Sequence, residues 1–121
     1  MKKNYFLTLI LTLFISGLSF GQVIITELAD PTNNAGARFV EIYNVSDSDV
    51  DLTDWELRRW TNANTEPQGT GIDLTPLGTL TSGSFAIIAA NGTTFSSVYG
   101  INADIIAGTG GAVDSNGDDK I

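Results

Sequence analysis

Beyond residue 21 the chain alternates brief runs of Val, Ile, Phe, Tyr and Trp with clusters of Gly, Asn, Asp, Thr and Ser. That pattern reads as short strands divided by turns. Val23–Ala29 is the first predicted strand, stopped by Asp30-Pro31 and the polar loop 32–37. Residues 38–44 form the second, with Val40 and Ile42 on one face and Phe39, Glu41 and Tyr43 on the other. Residues 45–54 read as polar and turn-like, with Val50 and Leu52 as inward anchors. Residues 55–60 form a third strand, followed by a loop over 61–71 and a weaker strand at 72–74. Segments 77–80 and 85–90 flank Thr81-Ser82-Gly83-Ser84, which predicts a hairpin. Phe95, Val98 and Tyr99 stand at helical spacing and predict one turn of helix over 94–99. Ile105-Ile106 and Ala112-Val113 are short β candidates. Asn116-Gly117 carries the signature of a type I′ turn, where both central residues take positive φ. It calls for a returning strand that residues 118–121 would only begin, so a closing strand is expected beyond Ile121, in a longer protein. The sum is an all-β sandwich or barrel over residues 22–121.

The first 21 residues break this pattern. Lys2 and Lys3 precede an apolar run over 5–18, and Ser19-Phe20-Gly21 offers small residues before a cut at Gln22. Basic start, apolar middle and small-residue exit define a signal peptide. The run is shorter than the roughly 20 residues needed to span a bilayer. The expected product is secreted or held at the cell surface, meeting the membrane only during export. Cleavage would also sharpen the charge: 14 acidic residues face 6 basic ones, and losing Lys2 and Lys3 lowers the net charge from −8 to −10. Nucleic acids are bound largely by neutralising phosphates with Lys and Arg. The four remaining cations, Arg38, Arg58, Arg59 and Lys120, argue against direct nucleic-acid binding. The chain has no Cys and no His, which excludes disulfides, thiolate chemistry, a Ser-His-Asp triad and His-ligated metals.

What chemistry remains must come from carboxylates. Asp114, Asn116, Asp118 and Asp119 lie within one short turn, and calcium takes six to eight oxygen ligands that such a loop could partly supply. The spacing is not that of an EF-hand, and a solvated hairpin turn is the competing expectation. Asp47, Asp49 and Asp51 alternate, so in an extended segment they would share one face and repel without a cation. Glu27 and Glu41 lie inside apolar strands and could form an acid–base pair, or simply face outward. Arg58, Arg59 and Trp60 form a basic-aromatic cluster, but successive strand residues face opposite ways, which favours pairing within the fold. Asn44-Val45-Ser46 and Asn91-Gly92-Thr93 match the glycosylation sequon.

Five stretches in order resemble the lamin tail domain family. Ile24 to Pro31 (IITELADP) resembles its opening strand, and Phe39 to Asn44 (FVEIYN) followed by Val50 to Leu57 (VDLTDWEL) resembles its "EFIELYN…VDLSGWxL" pattern. Leu80 to Ile88 is similar to its "LxPGxxxVL" segment, and Asp114 to Asp119 falls where the family has a late "NxxGD" turn. The resemblance implies an immunoglobulin-like β-sandwich and no catalytic residues to carry over. It also implies a binding and anchoring role, toward a protein or an extracellular polymer, with no cofactor beyond the calcium considered above. Signal-bearing bacterial members often accompany extracellular hydrolases, including nucleases and phosphatases, so an accessory role beside a catalytic domain past residue 121 is the alternative. Within the fold, Trp55 is expected to fill the core beside Leu52 and Leu57, and Gly83 and Gly117 to serve turns.

Overall fold

The computed structural model describes residues 22–116 and 119–121; the signal-peptide expectation for residues 1–21 lies outside them. Among the described residues eight strands form: β1 (Val23–Ala29), β2 (Phe39–Asn44), β3 (Val50–Asp51), β4 (Glu56–Arg59), β5 (Gln68–Asp73), β6 (Thr79–Leu80), β7 (Phe85–Ala89) and β8 (Ile105–Ile106). The helix α1 (Gly92–Tyr99) joins the last two of these strands. The main sheet has the order β1-β2-β7-β8, antiparallel except for the β7–β8 pair. Two ribbons, β3-β6 and β4-β5, supply the opposing layer. This is an all-β, immunoglobulin-like sandwich.

Alternation along the strands explains the layers. Val40 and Ile42 of β2, with Ala86 and Ile88 of β7, point inward from the main sheet and meet Val50, Leu52, Leu57, Leu74 and Leu80 from the ribbon side. Ala112 and Val113 close the end of that core. The other face of β2 and β7 is covered at one end by α1: Phe95 and Tyr99 set their rings edge-on to Phe39, at centroid distances of 5.3 and 5.2 Å. Such ring pairs contribute beyond their buried area. The helix starts where Asn91 accepts a hydrogen bond from the Thr94 N–H, and it ends at Gly100 in the left-handed region (φ 75°). It therefore begins two residues earlier than the expected span, because Asn91 is a good N-cap.

Several expectations from the sequence are corrected. Trp55 is 41% exposed while Leu52 and Leu57 are buried. Asp54 has φ 63°, so Trp55 belongs to a turn ahead of β4 and the inward alternation of Leu57 does not extend to it. The turn at 81–84 exists, closed by Ser84 N–H to the Thr81 carbonyl at 3.0 Å. It is not a hairpin, however: β6 pairs with β3 and β7 with β2, so the chain changes sheets there. The expected loop over 61–71 gives way at Gln68, where β5 opens four residues earlier than the expected strand. Ala112–Asp114 is a 3-10 turn, not a strand. The C-terminal segment pairs elsewhere, with Lys120 bridging Trp60 through two backbone hydrogen bonds of 2.7 and 2.9 Å. Gly117 and Asp118, on which the type I′ expectation fell, lie outside the described residues.

Candidate functional site

Of the four residues weighed as calcium ligands against a plain solvated turn, Asp114, Asn116 and Asp119 are described and Asp118 is not. The two described carboxylates face arginines. Arg38, at the entry to β2, donates from Nη1 to Asp114 Oδ1 at 2.6 Å and from Nε to Asp30 Oδ1 at 2.7 Å. Asp114 Oδ2 accepts from the Gly110 N–H at 3.0 Å. Burial pushes the Asp114 carboxyl up, but the hydrogen bonds from Arg38 and Gly110, with the charges of Arg38 and Arg59, outweigh it and hold the group below the ordinary carboxylate range. Arg59, on β4, donates to the Asp114 carbonyl at 2.7 Å and stands 3.6 Å from Asp119 Oδ2. Asp119 also accepts the backbone N–H groups of Asn62 and Asn116, each at 3.2 Å. Two arginines thus tie β2 and β4 to the C-terminal segment.

The other candidates are dispersed. Asp49 accepts the Ser82 N–H at 3.0 Å, while Asp51 accepts the hydroxyl and N–H of Thr53 at 2.6 and 2.9 Å. Those bonds lower the Asp51 carboxyl, the hydroxyl's contribution being the larger. The shared face expected for Asp47, Asp49 and Asp51 does not form, because only Val50 and Asp51 are strand. Among the described residues no three acids are placed to hold a metal ion. Arg58 points outward to Glu56 while Arg59 turns inward, as alternation requires. Asn44 is fully buried: its amide donates to the carbonyls of Ser48 and Leu80 at 2.8 and 2.9 Å, and its oxygen accepts from Ser46. The first sequon is therefore a structural clamp, and Asn91 of the second is the cap of α1.

Glu27 and Glu41 are brought together. They are direct cross-strand partners in the β1–β2 ladder. The register slips between Ile25 and Glu27, a bulge at Thr26 that places two β1 residues opposite one on β2. Without it, strict alternation would send Glu27 toward the core. Thr26 donates its hydroxyl to Glu41 Oε1 at 2.6 Å. The next row on the same outer face is Ile24, Tyr43 and Phe85, aligned across three strands. Ile24 is 43% and Phe85 58% exposed. Half of this sheet face is roofed by α1, and the other half presents a carboxylate row beside an apolar row. No residue signal along the sequence alone would have aligned these positions, since the bulge moves one strand by a single residue.

Geometry and chemistry together define an immunoglobulin-like domain: a packed sandwich whose inner faces carry the core and whose outer face is covered at one end by α1. The family model described as Lamin Tail Domain matches residues 18–121, and the chain belongs to the lamin tail domain family. Members of this non-catalytic family serve in general as binding or accessory modules. No curated protein matches the chain.

Proposed function

We propose that this chain is an exported, non-catalytic binding module within a larger extracellular protein, acting at a cell surface or on an extracellular polymer or protein. Export rests on the basic start, the apolar run over 5–18 and the small residues before Gln22. The observation that carries the binding role is the division of labour in the fold. The described carboxylates of the late loop face arginines of the chain itself, while the part of the outer sheet face beyond α1 leaves Ile24 and Phe85 exposed to solvent. An exposed apolar patch beside polar residues is a mark of interaction surfaces. A calcium role for Asp114, Asn116, Asp118 and Asp119 would require metal to compete with Arg38 and Arg59. A further catalytic domain in the same polypeptide is compatible with this role, and the coding sequence beyond residue 121 decides it. Probing the purified exported protein against arrays of extracellular proteins and glycans tests the binding role: retention of one ligand class is expected, and silence across all classes refutes it.

A further inference from the structure

We propose that the uncovered half of the main sheet's outer face docks a basic, apolar polypeptide segment. A Lys or Arg of the partner seats between Glu27 and Glu41, and its apolar side chains lie on Ile24, Tyr43 and Phe85. This rests on the binding-module reading and names its surface and the chemistry of its partner. Three observations select that occupant. The two carboxylates stand directly opposite each other, an arrangement that is repulsive unless a cation intervenes. The four cations beyond residue 21 are placed elsewhere: Arg38 pairs with Asp30 and Asp114, Arg58 with Glu56 and Arg59 with Asp119, while Lys120 is bridged through its backbone to Trp60. The bulge at Thr26 turns Glu27 onto the same face as Glu41, beside the exposed apolar row. Bulges commonly re-aim a side chain next to a functional site.

Other occupants fit less well. A second copy of a chain with net charge −8 would bring acids against acids. A neutral glycan could stack on Tyr43 and Phe85 but would leave the carboxylate row uncompensated. A basic segment meets both rows at once, and electrostatic complementarity of this kind fixes register and partner choice.

The test uses the full chain and a fluorescein-labelled peptide of alternating lysine and leucine, followed by anisotropy. The comparison probes are a glutamate–leucine peptide and a soluble β-glucan oligosaccharide. The lysine peptide is expected to bind, and more weakly as salt rises. The double variant Glu27→Gln/Glu41→Gln, which keeps shape and the Thr26 hydrogen bond, should bind it about tenfold more weakly. Phe85→Ser should also weaken it, and both variants should keep the parent circular dichroism spectrum. Asp47→Asn/Glu66→Gln removes the same charge from exposed positions elsewhere and should leave binding within about twofold. Equal losses in the two double variants, unchanged affinity in the first, or binding of the oligosaccharide in place of the peptide would each overturn the proposal. If the arrays retain a ligand that ignores these substitutions, the surface assignment falls while the binding-module reading stands.

Discussion

Two carboxylate pairs in this domain have the same chemistry and opposite fates. Asp114 and Asp119 are drawn into the fold, where Arg38, Arg59 and backbone N–H groups surround them. Glu27 and Glu41 stand side by side on an open sheet with only the Thr26 hydroxyl between strands. The difference follows from dielectric surroundings. A half-buried carboxylate must be paired or neutralised, so the chain supplies its own guanidinium groups. A surface pair costs little, and nothing forces the chain to compensate it. The first pair therefore reports on what holds the fold, and the second on what the fold can meet.

Removing the cation from the first pair should have the largest effect. Arg38→Met leaves Asp30 and Asp114 without their shared partner, and the expected loss is about 2–3 kcal/mol, below the full buried-pair figure because the site is partly exposed. Urea denaturation measures it. A loss under about 0.5 kcal/mol would mean that the network is incidental to stability. Acid titration sharpens the same point. The Asp114 carboxyl lies below its ordinary value of 3.8 in the folded state. Its contribution is therefore fully present above that value and is lost as the pH falls through the folded one. Melting temperature should drop in that window, and the drop should shrink in Arg38→Met, where Asp114 has lost its main hydrogen-bonding cation.

The outer pair should respond in the opposite direction and by less. Glu27→Gln/Glu41→Gln relieves repulsion between directly opposed like charges, which is worth about 0.2–1 kcal/mol on a sheet. The variant should be as stable as the parent or slightly more so, by the same urea measurement. A loss above about 1 kcal/mol would show that these carboxylates belong to the scaffold, and the contrast between the two pairs would collapse.

How far the sequence revealed these features depends on the range of the interaction behind each. The split of β2 into Val40 and Ile42 against Phe39, Glu41 and Tyr43 was legible, since alternation is local. So were the inward positions of Leu52 and Leu57, and the helical spacing of Phe95 and Tyr99. Trp55 departs from its expected core position because a positive-φ residue, Asp54, interrupts the alternation just before it. The segment 81–84 predicts a hairpin and delivers a sheet change, because turn chemistry fixes the local bend and not which strand the chain joins next. The clamp at Asn44 depends on Leu80, 36 residues away, and the Arg38–Asp114 pair spans 76 residues. Neither leaves a local signature. Glu27 is the sharpest case: a one-residue slip reverses the face of every side chain after it.

The smallest expected effect concerns calcium at the late loop. Every described carboxylate oxygen there already has a protein donor: Asp114 meets Arg38 and Gly110, and Asp119 meets Asn62, Asn116 and Arg59. A calcium ion needs six to eight oxygens, so it would have to displace guanidinium groups that also tie β2 and β4 to the C-terminal segment. A ligand stabilises the folded state only by binding it in preference to the unfolded chain. Millimolar calcium should then move the melting midpoint by less than about 1 °C, the scale of a few tenths of a kcal/mol in a domain this size. A rise of several degrees, abolished by Asp118→Asn, would show that the loop exchanges arginine for metal. The inner carboxylates would then be open to an outside cation just as the outer ones are, and the distinction between the two pairs would be one of occupancy instead of surroundings.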